Sequence, residues 1–249
     1  MPCMGQFVAI LDCMEKDLFM KYEFLLFDAD NTILDFDDAE VNALTKALES
    51  HGYPADKHVV DTYRQNNVYM WEQLEKGLAD KPTVRIKRFE MTFAELGWLI
   101  DGVTLEDIAE EYEQRLHDGF AVVAHAEEVL IRLQSQGHKL YLVSNGFLSV
   151  QVARMKGSGM GKYFPVRFIS EQVGYSKPQK EFFDYAFARI PDFDKQRALI
   201  IGDSLTSDIK GGINAGIDTC WFNPGHKSCR PDVVPTYEID DLRQLFEIV

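Results

Sequence analysis

The stretch Phe24-Leu25-Leu26-Phe27-Asp28-Ala29-Asp30-Asn31-Thr32 decides the reading of this chain. Its first four residues are a short continuous apolar run, the pattern of a parallel strand covered on both faces. The run ends in two carboxylates two positions apart, where the chain leaves the sheet and both can approach one small volume. Two such charges repel unless something holds them. Mg²⁺, which takes a few oxygen ligands together with water and substrate phosphate, is the simplest solution. Alone, Asp28 to Thr32 reads equally as an Asp-rich turn.

Two further runs share the property of ending in a chemically capable residue. Leu140-Tyr141-Leu142-Val143 leads into Ser144, and Ala198-Leu199-Ile200-Ile201-Gly202 leads into Asp203. Helical patterns lie between them: Ala126 to Gln136 before Gly137, and Gln179 to Ile190 before Pro191. Strands alternating with helices predict an α/β fold, a Rossmann-like doubly wound parallel sheet. Ligands of such sheets bind beyond the carboxyl ends of the strands, so Asp28, Ser144 and Asp203 are expected around one crevice.

The segment 36–119 has helical periodicity and no strand pattern, with Val41, Leu44 and Leu48 before Gly52 and Ile86, Phe89, Phe93 and Leu96 before Gly97. It is read as an inserted all-helical cap on a core formed by 21–35 and 120–249. Thr104 and Asp107 predict a helix start, with the helix running from Leu105 to His117. Residues 1–20, with alternative starts at Met4, Met14 and Met20, are read as an N-terminal extension that is a translation-start artefact in preference to a packed amphipathic helix.

The 249 residues carry 46% apolar and 27% charged side chains and a net charge of −14, which fits a globular protein that repels polyanions. A nucleic-acid polymer is therefore not an expected partner, whereas a small phosphorylated metabolite is, because a cation and a Lys can reverse the sign locally. Cys3, Cys13, Cys220 and Cys229 form no C-x-x-C pair, and the apolar run Phe7 to Leu11 is too short for a signal or a membrane span. A reducing, cytoplasmic location and no membrane partner are expected.

Ser144-Asn145-Gly146 offers a hydroxyl, an amide and a flexible backbone before a helix, suited to phosphate oxygens, though Ser-Asn-Gly is also a common turn. Ser176-Lys177-Pro178 fixes an ammonium beside a rigid residue. Gly202-Asp203-Ser204, followed by Thr206 and Asp208, adds carboxylates at a strand end and a helix start. In this order and spacing the four motifs resemble the signature of the haloacid dehalogenase superfamily. The stretch Ile201 to Pro224 is similar to its pyrimidine nucleoside-monophosphate 5′-nucleotidase branch, and the likeness runs from about Lys21 onward.

The resemblance implies a phosphatase in which Asp28 attacks phosphorus and Asp30 first protonates the leaving oxygen and then activates water. It further implies Mg²⁺ on Asp28, the backbone carbonyl of Asp30, and Asp203, with Asp208 in support. Ser144, Asn145 and Lys177 would bind the phosphoryl group. Like charge pushes the titrations of Asp28 and Asp30 apart, as an ionised nucleophile beside an initially protonated acid requires. Asn31 stands where many relatives have Gly. The second carboxylate argues against a dehalogenase. A phosphoglycolate or sugar-phosphate phosphatase, a phosphomutase and a non-catalytic phosphate-binding regulator are the other readings.

Several features are read as structural. Gly157 to Gly161 forms a helix-ending loop, and Gly211-Gly212 marks a close backbone approach within a helix. His51 and His117 sit at helix C-termini. Arg85, Lys87 and Arg88 read as a solvated charged face, and Trp71, Phe89, Phe93 and Trp98 as packing aromatics.

Overall fold

The computed structural model describes residues 20–249. The extension read over 1–20, with Cys3 and Cys13, therefore lies outside the described residues except for Met20. The chain runs β1 (Phe24–Phe27), α1 (Phe36–Ser50), α2 (Lys57–Glu75), α3 (Lys81–Glu95), α4 (Gly102–Leu116), α5 (Ala126–Gln136), β2 (Lys139–Ser144), α6 (Leu148–Gly157), β3 (Val166–Ile169) and α7 (Ser170–Val173). It continues through α8 (Lys180–Phe187), β4 (Ala198–Gly202), a π-helical turn at Leu205–Ile209, α9 (Lys210–Ala215), β5 (Asp218–Phe222) and β6 (Tyr237–Ile239). Among the described residues no helix is long and apolar enough to cross a membrane.

Among the described residues six strands form one sheet in the order β3-β2-β1-β4-β5-β6, every pair parallel. β1 is central, with Leu25 opposite both Leu140 and Leu199. Alternation along it explains its apolar run: Phe24 and Leu26 face a layer containing Phe182, Phe183 and Ile200, while Leu25 and Phe27 face one containing Leu130, Leu133 and Ile201. Burying each large side chain contributes about 1.5–3 kcal/mol. Cβ atoms at Gly211 and Gly212 would stand 2.6 Å from the Phe183 ring and 2.5 Å from the Thr219 methyl, the close approach read from that pair.

Helices α1 to α4 pack on one another around a separate apolar cluster that includes Leu44, Tyr63, Phe89, Phe93, Ile108 and Tyr112. Each begins with an aspartate accepting backbone N–H groups: Asp35, Asp56, Asp80 and Asp101. For α4 this corrects the start expected at Thr104. Asp101 takes the N–H groups of Val103 and Thr104 and the Thr104 hydroxyl, so the helix begins earlier, at Gly102.

Candidate active site

β1, β2 and β4 end on the same edge of the sheet and deliver Asp28, Ser144 and Asp203 to one crevice under the cap. Lys177 and Asp208 complete its floor. The Lys177 ammonium, fully buried, donates to Asp28 Oδ1 at 2.6 Å, Asp208 Oδ1 at 2.6 Å and the Val143 carbonyl at 2.9 Å. All three partners accept, so this lysine is held by charge-assisted bonds on every side.

The loops that present these groups are tied together. Both ends of the Asn145 amide engage the Lys177 backbone, accepting its N–H at 2.8 Å and donating to its carbonyl at 2.9 Å. The Asn145 side chain thus holds the lysine loop in place through its oxygen and one of its two amide N–H groups. Ser144 Oγ accepts the Gly146 N–H at 3.0 Å. The Asp203 carbonyl accepts from the Trp221 indole at 2.9 Å. A Cβ on Gly202 would lie 2.2 Å from the Asp208 carboxylate, so only glycine lets that carboxylate swing under the strand end.

Carboxylate oxygens of Asp28, Asp203 and Asp208 lie within 4.8 Å of one another. Three carboxylates against one ammonium leave the cluster negative, and hard oxygen donors at this spacing suit Mg²⁺. Burial pushes the Asp28 carboxyl well above the usual range; Lys177 pulls it back, while Asp208, Asp30 and Asp203 add to the rise. Burial, followed by Asp208, pushes Asp203 up to about 7. Burial works against the Lys177 ammonium, yet Asp208 and Asp28 hold its titration above the ordinary lysine value. A divalent cation relieves the repulsion among the carboxylates.

Asp30 stands apart from the cluster. Its carboxyl pairs with Arg154 and accepts from the Gln151 amide, both from α6. Asn31 takes the left-handed conformation, φ 57°, that explains an alternation with Gly. Its Oδ1 accepts the N–H groups of Phe36 at 2.9 Å and Asp37 at 3.1 Å, which closes the turn into α1.

Above the floor is a cavity of about 390 Å³ whose roof comes from the cap. Trp71 of α2 and Phe147 of the core meet there edge to face at 5.8 Å. A polar chain runs beside them: Arg64 donates to Glu40, Asn67 donates to Glu40 at 2.7 Å, and Arg88 donates to Asn67 Oδ1 at 3.2 Å. Arg88, 1% exposed, corrects the solvated face expected for Arg85, Lys87 and Arg88. Arg85 pairs with Glu113 and Lys87 with Glu90, while Arg88 turns inward between the rings of Tyr112 and Phe147. Of the four aromatics read as packing, Phe89 and Phe93 are cap core and Trp98 stacks on Tyr53, but Trp71 lines the cavity.

Glu75, Asn67, Gln151 and Arg154 were not singled out in the sequence. For Arg154 a signal exists: it follows Val150 by one helical turn and adjoins Met155, which places it on the buried stripe of α6.

The family model described as haloacid dehalogenase-like hydrolase matches residues 25–222. The chain is 41% identical over 229 residues to the HAD-hydrolase YfnB of Bacillus subtilis, covering 92% of this chain and 96% of that protein. It is 38% identical to the pyrimidine 5′-nucleotidase PynA of Streptococcus pneumoniae, covering 92% and 95%. It is 29% identical to the pyrimidine 5′-nucleotidase YjjG of Escherichia coli, covering 92% and 99%. The crystal structure of YfnB bound to magnesium, described as revealing interdomain movement, superposes with a TM-score of 0.85, covering 92% of this chain and 98% of that one. With the aspartate cluster beneath such a cavity, the fold supports a magnesium-dependent phosphoric monoester hydrolase acting on a small phosphorylated metabolite. The chain belongs to the haloacid dehalogenase-like hydrolase family.

Proposed function

We propose that this protein is a 5′-nucleotidase that hydrolyses pyrimidine nucleoside monophosphates such as UMP, dUMP and dTMP. The observation that carries the reading is the cavity itself: the carboxylate and lysine floor is roofed by Trp71, Phe147 and the polar chain ending in Arg88. A phosphate on the floor puts a planar polar base against an aromatic and hydrogen-bonding roof. PynA and YjjG, alike over nearly the whole chain, are pyrimidine 5′-nucleotidases and support the same substrate.

In this reading Asp28 attacks phosphorus, an O–P bond forms, and the ester oxygen leaves with a proton from Asp30. Asp30 then takes a proton from the water that attacks the aspartyl phosphate, and inorganic phosphate and Asp28 are released. Ser144 and Asn145 orient the phosphoryl oxygens, and Lys177, whose three donors go to Asp28, Asp208 and the Val143 carbonyl, acts on the phosphoryl group through its charge. Asp28, the Asp30 carbonyl, Asp203 and Asp208 would hold Mg²⁺, which neutralises charge on the transferring group. The cap excludes water and contacts the leaving group.

The test is Mg²⁺-dependent phosphate release from UMP, dUMP, dTMP, AMP, GMP, phosphoglycolate and sugar phosphates. Selective release from the pyrimidine monophosphates supports the reading. Preference for phosphoglycolate or a sugar phosphate keeps the chemistry and overturns the substrate, and isomerisation without release makes it a mutase.

A further inference from the structure

Arg154 is fully buried and serves three separate segments at once. One terminal nitrogen pairs with the Asp30 carboxylate. The other donates to the Asp35 carbonyl at 3.1 Å, and Nε donates to the Gly119 carbonyl at 2.8 Å. Asp35 is the N-cap of α1, where the chain enters the cap, and Gly119 follows α4, where it leaves. The two crossings also bind each other, through Asp35 N–H to the Ala121 carbonyl at 2.9 Å and an antiparallel bridge between Leu34 and Val122.

We propose that Arg154 is a positioning residue that couples the two cap crossings to the placement of Asp30. The guanidinium is planar, always charged and directional, so its three bonds are geometrically linked. A shift of either crossing carbonyl out of hydrogen-bond range unseats the fork, and Asp30 loses its fixed partner. Gly119 leaves little slack, because a Cβ there would lie 2.4 Å from the Ala39 Cβ. Gln151 supplies a second hold on Asp30, and Gly146 has no side chain where a Cβ would lie 2.3 Å from the Gln151 amide nitrogen. The acid and base is thereby seated from behind by α6 while the cap crossings hold the same arginine. This inference rests on Asp30 having that role in the proposed reaction.

A seating role differs from a structural one in its dependence on the leaving group. An alkoxide needs a proton from Asp30 to depart, whereas p-nitrophenolate leaves without one. The experiment compares first-turnover release of the leaving group from UMP and from p-nitrophenyl phosphate in Arg154→Met, Arg154→Lys and Asp30→Asn, with thermal melts as the folding control. In Arg154→Met the UMP step is expected to fall about 100-fold and the nitrophenyl step less than about fivefold. Arg154→Lys, which can reach one of the three acceptors but not all, is expected to fall in the same direction by less. It carries the test if the methionine variant does not fold.

Equal losses on both substrates, or no loss on either, overturn the role of Arg154. If Asp30→Asn discriminates between the leaving groups and folded Arg154 variants do not, Asp30 keeps its role and the coupling alone fails. If Asp30→Asn does not discriminate, the assignment of Asp30 fails and takes the coupling with it.

Discussion

The floor and the roof of the cavity are built on different terms. On the floor the reactive groups are locked by one another: Lys177 is saturated by Asp28, Asp208 and Val143, Asn145 clamps the lysine loop, and Gly202 admits the Asp208 carboxylate. The roof's apolar cluster takes in Val150 and Phe147 from the core, and Lys81 adds polar contacts to the Gly146 carbonyl at 2.7 Å and to Glu171 at 3.1 Å. A fixed charged floor suits phosphoryl transfer, which needs positioning and neutralisation. The roof residues Arg64, Asn67, Trp71 and Arg88 make no bond to Lys177, Asp28 or Asp208, so a change there leaves the bonds of the floor in place.

The largest expected effect breaks the floor. Asp28→Asn should lower phosphate release from every substrate alike by about a thousandfold or more, measured as kcat across the panel. A loss confined to some substrates would mean that floor and roof are not separable. Lys177→Met leaves Asp28 and Asp208 buried without their counter-charge and should lower stability by about 3–5 kcal/mol, read by denaturant melts without metal.

Mg²⁺ acts on the floor in the opposite sense. At about a hundredfold over its dissociation constant it should add about 2.7 kcal/mol to stability, and chelation should abolish turnover. An unchanged melting temperature with Mg²⁺ would remove the cation from the cluster.

Glu75 sharpens the comparison because it is a roof residue that reaches floor charges. Burial, and after it the Asp208 charge, push its carboxyl up to about 7, with Thr206 working the other way. A carboxyl raised on folding contributes stability that is complete below its ordinary value of 4.5 and lost as pH rises through about 7. Glu75→Gln should flatten that part of the stability profile, measured by melts between pH 5 and pH 8. The smallest effect is expected at Lys81, whose partly exposed pair with Glu171 is worth no more than about 1 kcal/mol. Lys81→Ala should raise KM a few fold and leave kcat and the melting temperature nearly unchanged.

Much of the core was legible in advance, for a local reason. β1 and β4 lie where their apolar runs end, and α5 spans Ala126–Gln136 and stops at a left-handed Gly137. Local pattern was a poorer guide to β3, whose Val166 and Arg167 are exposed, and to α2, whose buried face includes Thr62, Asn66 and Asn67. These elements are specified by neighbours distant in sequence, which no window along the chain contains.

The sequence by itself determined that Asp28, Ser144 and Asp203 follow strand ends and meet on one edge of the sheet. A strand's period, its end and the residue that follows are local properties, and parallel strands in a doubly wound sheet end on one side. Tertiary structure alone decided which long polar side chains turn inward. Arg88, Gln151 and Glu75 look like ordinary helix-surface residues in the chain, and each is drawn into the interior or the cavity by partners tens of residues away. Burying a polar side chain is favourable only where those partners are already in place, and their positions exist only in the folded protein.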